Sequence, residues 1–326
     1  MYNVASLFCG CGGVDLGTIG GFTFNKTNYG KHPCKLVYAC DIDQKAIDTH
    51  KLNFNTEKLV CADICEVDAD DIPECDILTG GFPCQSFSTV NPTKNPFDDR
   101  AHLYKQMVRI IQAKQPKVFI AENVKGMMTL HKGAIFKQII SAFEEAGYKT
   151  FYSLLNAADY GVPQKRERVI IVGIRNDIWK QQGDFSFPAK TNEENWQPLS
   201  IAVPKLAIEE KKYYFSERAV QGMKNAKNNM KRGLAQDLNE PCLTITSHLA
   251  KVSLNSRDPV LLVDSEKELY RRFTPLEAAR IQSFPDNFQF AGTETTAYKQ
   301  IGNAIPPVIF WHIMDKIIKY LEKTTT

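Results

Sequence analysis

Val4-Ala5-Ser6-Leu7-Phe8-Cys9-Gly10-Cys11-Gly12-Gly13 opens the chain as a short apolar run that passes straight into a glycine-rich turn. Residues 4–8 predict a strand, and the glycines after it let the backbone turn tightly into a helix or pass close to a ligand. Four more runs repeat the pattern. Residues 36–40 end at Asp41, and 76–79 precede Gly80-Gly81-Phe82-Pro83-Cys84-Gln85. Residues 118–121 precede Glu122, and 169–174 form the last run. Between them Leu103, Met107, Ile110 and Ile111 fall at helical spacing, as do Ile135, Ile139, Ile140 and Phe143. Strands alternating with helices predict an α/β fold with a doubly wound, mostly parallel sheet. Ligands of such sheets collect at the carboxyl ends of the strands, where each of these polar or glycine-rich segments falls.

With 326 residues the chain can build one large domain and a smaller one. Hydrophobic residues make up 43% and charged residues 24%, the balance of a soluble protein, and the net charge of +3 is too small by itself to demand a polyanionic partner. No apolar run is long enough to span a bilayer, and the N-terminus lacks the basic and apolar regions of a signal peptide. Eight of the nine cysteines precede residue 85, which is no disulfide framework and predicts a reducing, cytoplasmic setting. Neither Cys9/Cys11 nor Cys61/Cys65 has zinc-knuckle spacing, and His32 and His50 have no matching partners, so no metal is expected.

From residue 176 to 270 the alternation fades. Residues 211–232 carry seven basic side chains against one acid, Glu217. This predicts a second, smaller domain with a basic face, although for a charge run alone a solvated helix surface is the favoured reading. Order returns with Thr274-Pro275-Leu276-Glu277, a capping box with proline at the first helical position, whose helix should run to about Ser283. A last helix should follow Pro306-Pro307 and bury Ile309, Ile313, Ile317 and Leu321.

Three constellations carry chemistry. The loop Phe8-Cys9-Gly10-Cys11-Gly12-Gly13, with Asp41 at the end of the next strand, suits a ligand bearing ribose hydroxyls. Its spacing is not the dinucleotide G-x-G-x-x-G, which argues against a nicotinamide cofactor. Cys84 follows a proline on a glycine-led loop leaving a strand, the exposed setting that a thiolate nucleophile needs. Taken alone, a buried structural cysteine is the simpler reading. Glu122-Asn123-Val124 ends another strand of the same sheet and would face the same crevice, where a carboxyl group can donate to a ring nitrogen as a thiolate adds to a heterocycle. Gln164-Lys165-Arg166-Glu167-Arg168 precedes a further strand and could set an arginine on a substrate oxygen, or be a surface charge cluster.

Taken together, Phe8 to Gly13, the Asp41 segment, Asp63-Ile64, residues 80–88, Glu122-Asn123-Val124, residues 164–168, 271–285 and 300–307 resemble the cytosine-5 DNA methyltransferases, especially the compact bacterial restriction–modification type. The likeness covers nearly the whole chain in order. It implies a Rossmann-like catalytic domain of residues 1–175 and 271–326 and a target recognition domain of residues 176–270. It also implies S-adenosylmethionine as cofactor, with S-adenosylhomocysteine as product, and double-stranded DNA as partner. The implied catalytic residues are Cys84, attacking carbon 6 of cytosine, Glu122 at ring nitrogen 3 and the amine, and Arg168 on the exocyclic oxygen with Arg166 nearby. The implied cofactor residues are Phe8, Gly10, Gly12, Asp41 on the ribose, Ile42 on the adenine, Asp63 and Ile64, Pro83, Leu103 and Asn303. Relatives often carry a large aromatic side chain where Ile42 stands. Gln85, Ser88, Arg100, Lys224, Lys227, Lys231, Arg232, Thr244 and Thr246 would touch DNA, and residues 86–100 would close over the flipped base. The resemblance further implies a monomer and leaves open a companion restriction endonuclease acting on the same site without a stable complex.

Three alternatives stand beside it. An RNA (tRNA) cytosine-5 methyltransferase of the same fold typically carries Cys-Phe-Thr in its target region, absent here. A DNA-binding protein on a decayed scaffold would not need Cys84, Glu122 and Arg168 intact. A nicotinamide oxidoreductase is disfavoured by the glycine spacing.

Overall fold

A computed structural model describes residues 1–83, 103–193, 195–225, 235–250 and 259–323. In chain order, the first half contains β1 (Tyr2–Leu7), α1 (Gly13–Ile19), the hairpin β2 (Phe22–Phe24) and β3 (Thr27–Tyr29), β4 (Cys34–Asp41), α2 (Gln44–Asn53), β5 (Lys58–Cys61), β6 (Ile77–Gly80), α3 (Leu103–Lys114), β7 (Val118–Val124), α4 (Ala134–Glu145) and β8 (Tyr148–Asn156). Then come β9 (Gln164–Lys165), β10 (Glu167–Arg175), α5 (Asn176–Gln182), α6 (Glu217–Asn225), β11 (Cys242–Leu243), β12 (Leu261–Asp264), β13 (Leu269–Arg271), α7 (Pro275–Ile281), α8 (Glu294–Asn303) and α9 (Pro307–Glu322).

Seven strands form one sheet in the order β5-β4-β1-β6-β7-β10-β8. The first five run parallel, and β10 runs antiparallel to both its neighbours. The order reverses at β1, which pairs with β4 on one side and β6 on the other, and sheets of this kind bind ligands outside the carboxyl ends of the strands at such a point. The expected α/β doubly wound sheet is present. Two of its strands, β5 and β8, are absent from the sequence reading. Both lie at sheet edges, and β8 (YKTFYSLLN) alternates buried and more open positions instead of forming an apolar run.

Each sheet face carries a core. On one, Met107, Ile110 and Ile111 of α3 and Phe136, Ile139 and Phe143 of α4 are buried. The inward stripe of α4 is therefore Phe136-Ile139-Phe143, and the expected Ile135 and Ile140 lie only half-buried at its margins. On the other face α9 packs on α1 so closely that a Cβ on Gly17 would stand 2.6 Å from the Pro307 carbonyl oxygen. Ile309, Ile313, Ile317 and Leu321 are buried there as expected. The α7 capping box forms, with the Thr274 hydroxyl accepting from the Glu277 amide, and the helix ends at Ile281, two residues before the expected stop, because Ser283 turns to φ 63°. Glu277 also grips the fully buried Arg271 in two bonds of 2.7 and 2.8 Å.

Residues 176–270 carry little regular structure among the described residues. Leu199, Val203, Cys242, Ile245 and Leu261 join the same hydrophobic cluster as α9, so this stretch leans on the larger core.

Candidate active site

The glycine loop leaves β1 in left-handed backbone, with Phe8 at φ 54°, Gly10 at 54° and Gly12 at 92°. Phe8 holds that conformation at a cost of about 1–3 kcal/mol, the kind of strain that persists where surrounding structure enforces it. Here the enforcement is visible: the Cys9 amide donates to the Cys40 carbonyl at 2.9 Å, and the Gly10 amide donates to Asp41 Oδ2 at 2.8 Å. The second Asp41 oxygen accepts from the Asp43 amide. A Cβ on Gly10 would meet nothing, so open space lies beside the loop, whereas one on Gly12 would strike Phe54. Along the same edge, Ile42 is 68% exposed, Asp63 is half-buried with Oδ1 accepting from the Cys65 amide, and Ile64 is buried. An exposed apolar side chain between two carboxylates, beside a loop with open space, fits an adenosine group well.

The loop's own cysteines are poor nucleophiles. Burial pushes the Cys11 thiol up to about 12, raises Cys9 well above its ordinary value, and holds Cys40 on the neighbouring strand β4 at about 11. Beneath the loop, Asp15 Oδ2 and His50 Nε2 form a fully buried hydrogen bond at 3.0 Å, and Cys9 Sγ lies close enough that the three potential metal-ligand atoms fall within 4.8 Å of one another. Sequence spacing gives no hint of this trio, because its members come from the loop, α1 and α2. Asp15→Ala strands a buried imidazole nitrogen, and urea unfolding is expected to show a loss of about 1–3 kcal/mol. A loss below about 1 kcal/mol would mean that the pair contributes little.

At the end of β6, Phe82 is buried and Pro83 exposed. Asn123 fixes this exit, its buried Nδ2 donating to the Phe82 carbonyl at 2.9 Å. Gly81 lies against Glu122, whose Oε2 would be 3.2 Å from a Cβ at that position. Across the strand pair, Arg168 Nε lies 2.8 Å from Glu122 Oε1, and both side chains are mostly buried. Burial raises the Glu122 carboxyl above its ordinary range, with Arg168 and then Arg166 pulling it back. The structure thus brings together Glu122, Arg168 and Gly81. Cys84, Gln85, Ser88, Arg100, Lys227, Lys231, Arg232 and the expected closing segment 86–100 lie outside the described residues.

The remaining described site residues take these places. Arg166, expected beside the cytosine oxygen, is 2% exposed and turns inward, its guanidinium donating to the carbonyls of Ile245, Gly302 and Ala304 at 2.9–3.0 Å. Thr244, expected on DNA, is half-buried and donates its hydroxyl to the Lys165 carbonyl at 2.7 Å. Thr246 is half-buried, its hydroxyl accepting from the His248 amide. Lys224 pairs with Glu268. Leu103 is half-buried at the start of α3, and Asn303 is exposed at the end of α8. Gln164 and Gln282, both fully buried and bonded to each other, are structural partners that the sequence reading missed.

Fold and site together define an α/β enzyme with a nucleoside-type cleft beside a buried carboxylate–guanidinium pair. The family profile described as C-5 cytosine-specific DNA methylase matches residues 2–319. The type II methyltransferase M1.ScrFI of Lactococcus lactis subsp. cremoris is 34% identical over 326 residues, covering 99% of this chain and 79% of the relative. M.NlaX of Neisseria lactamica is 34% identical over 314 residues, covering 95% and 94%. Among solved structures, S. pombe Dnmt2 methyltransferase superposes over the whole of both chains with a TM-score of 0.75 at 18% identity, a likeness of fold. The chain belongs to the C-5 cytosine-specific DNA methylases and is a DNA cytosine-5 methyltransferase.

Proposed function

We propose that the enzyme methylates carbon 5 of a cytosine flipped out of a specific short sequence of duplex DNA, through a covalent bond between Cys84 and carbon 6, as the protective methylase of a restriction–modification system. The observation that carries this reading is the Glu122–Arg168 pair, 2.8 Å apart, against Gly81 on the exit of the cysteine loop. Cys84 follows Gly81 by three positions in the chain.

The chemistry follows from the groups in place. Extruding the base costs roughly a few kcal/mol, repaid by contacts in the pocket. As the Cys84 thiolate bonds to carbon 6, the 5,6 double-bond pair moves toward carbon 5. Glu122, whose burial favours its protonated form, donates to ring nitrogen 3 and accepts from the exocyclic amine. Arg168 holds the exocyclic oxygen. S-adenosylmethionine supplies the electrophilic methyl group. A base then removes the carbon 5 proton, and its electron pair re-forms the double bond and expels Cys84. Phe8, Gly10, Gly12, Asp41, Ile42, Asp63, Ile64, Pro83, Leu103 and Asn303 would hold the cofactor, and no metal is needed in this scheme.

In this reading residues 176–270 form the target recognition domain, with Lys224, Lys227, Lys231 and Arg232 supplying salt-dependent phosphate contacts. The enzyme would work as a monomer in the cytoplasm. Among the described residues no helix is long and apolar enough to cross a membrane. Incubation with methyl-labelled cofactor is expected to label random-sequence duplex DNA at one sequence context, read by bisulfite sequencing. Label in tRNA but not in duplex DNA would replace this reading with the RNA one.

A further inference from the structure

Three motifs far apart in the chain meet in one buried polar knot behind the active site. Gln164 and Gln282 are fully buried, and Arg166 nearly so. Gln164 Nε2 donates to Gln282 Oε1 at 2.8 Å, and its own Oε1 accepts from the Ile245 amide at 3.0 Å. Gln282 Nε2 donates to the Ile301 carbonyl at 2.7 Å and the Ala304 carbonyl at 3.2 Å. Arg166 donates to the carbonyls of Ile245, Gly302 and Ala304. Close packing completes the knot, since a Cβ on Gly302 would collide with the Thr246 carbonyl.

The acceptors explain what the knot does. Helix α8 ends at Asn303, and the last carbonyls of a helix have no partner within it. Those of Ile301 and Gly302, together with Ala304 beyond the end, all turn inward to Arg166 and Gln282, and a cationic guanidinium suits the negative end of the helix. Asn303, between them, is left exposed. The same Arg166 stands two residues before Arg168, which faces Glu122. One set of buried bonds therefore sets both the α8 turn and the start of β10.

We infer that Gln282 is a positioning residue that, through Gln164 and Arg166, holds the Asn303 turn at the cofactor and the Arg168 guanidinium at the pyrimidine in one fixed relation. This rests on the reading of Asn303 and Arg168 given above. Gln282→Leu keeps the volume but removes the shorter bond from each group, leaving Gln164 Nε2 only its 3.3 Å bond to the Ile281 carbonyl and the Ile301 carbonyl only the Ala304 amide at 3.2 Å, so one buried N–H of Gln164 loses its partner.

The test uses full-length protein and two readouts. Calorimetric titration with S-adenosylhomocysteine needs no DNA, and steady-state methylation of duplex DNA gives KM for the cofactor and kcat. Gln282→Leu is expected to weaken cofactor binding and raise its KM at least 10-fold, with kcat also reduced. Arg166→Lys, which keeps the charge but cannot span three carbonyls, is expected to do the same and serves if Gln282→Leu fails to fold. Either folded variant with wild-type cofactor affinity and KM, and only a lowered melting temperature, would overturn the inference. Wild-type enzyme that binds S-adenosylhomocysteine but does not methylate duplex DNA would refute the proposed function and leave the calorimetric test intact.

Discussion

Glu122→Gln is expected to lower kcat for methyl transfer by about 100-fold or more while leaving DNA affinity within a few-fold of wild type. A positioned general acid contributes on the order of 10²–10⁴ in rate. Glutamine keeps the shape and one hydrogen-bond donor but cannot pass a proton to ring nitrogen 3, so the electron pair displaced by Cys84 has no sink there. The variant also removes the anion that faces Arg168 at 2.8 Å, leaving a mostly buried guanidinium without its carboxylate. Some loss of stability should accompany the loss of rate. Single-turnover kinetics at saturating DNA and cofactor separate the two, because the rate of folded, bound enzyme does not depend on how much protein is folded. A single-turnover rate within 5-fold of wild type would remove Glu122 from proton transfer and leave it a structural partner of Arg168.

Cys84→Ser is expected to abolish turnover, by a factor on the order of 10⁴ or more. A thiol ionises near neutral pH, and its thiolate is a strong nucleophile. A serine hydroxyl stays protonated unless a neighbouring base activates it. The buried cysteines of the glycine loop cannot substitute, since burial raises the Cys9 thiol well above its ordinary value and pushes that of Cys11 up to about 12. Rapid-quench assays should show no methylated product above background, while S-adenosylhomocysteine binding stays at the wild-type level. Residual turnover within 100-fold of wild type would mean that the covalent route is not the one used.

Much of this was legible in the chain, for identifiable reasons. Buried strands are continuous apolar runs, so β1, β4, β6, β7 and β10 stand out, and in the parallel four the segment that follows each run marks the functional edge. The edge strands β5 and β8 have no such run. Position 168 was read as functional although it precedes its strand, which in a parallel strand would put it at the opposite edge from Glu122. Because β10 is antiparallel, its beginning lies beside the end of β7, with Arg168 in register with Val124. Strand direction has no local sequence signal. Nor has the division of labour between Arg166 and Arg168: the two differ only in which way the backbone turns them, one to three carbonyls and the other to Glu122. Thr244 likewise reads as a surface hydroxyl until Cys242–Leu243 is seen to pair with Gln164–Lys165, which places its oxygen on the Lys165 carbonyl. The Asp15–His50 pair joins residues from two helices and has no periodicity to give it away.

The central claim is that Cys84 forms a bond to the target cytosine. Duplex DNA carrying 5-fluorocytosine at the methylated position tests it directly, since fluorine replaces the proton that must leave before the bond can break. With S-adenosylmethionine present, the account predicts a stable protein–DNA adduct that peptide mass spectrometry assigns to Cys84 and that Cys84→Ser does not form. A wild-type enzyme that methylates ordinary duplex DNA but gives no adduct, or an adduct on another residue, would contradict it.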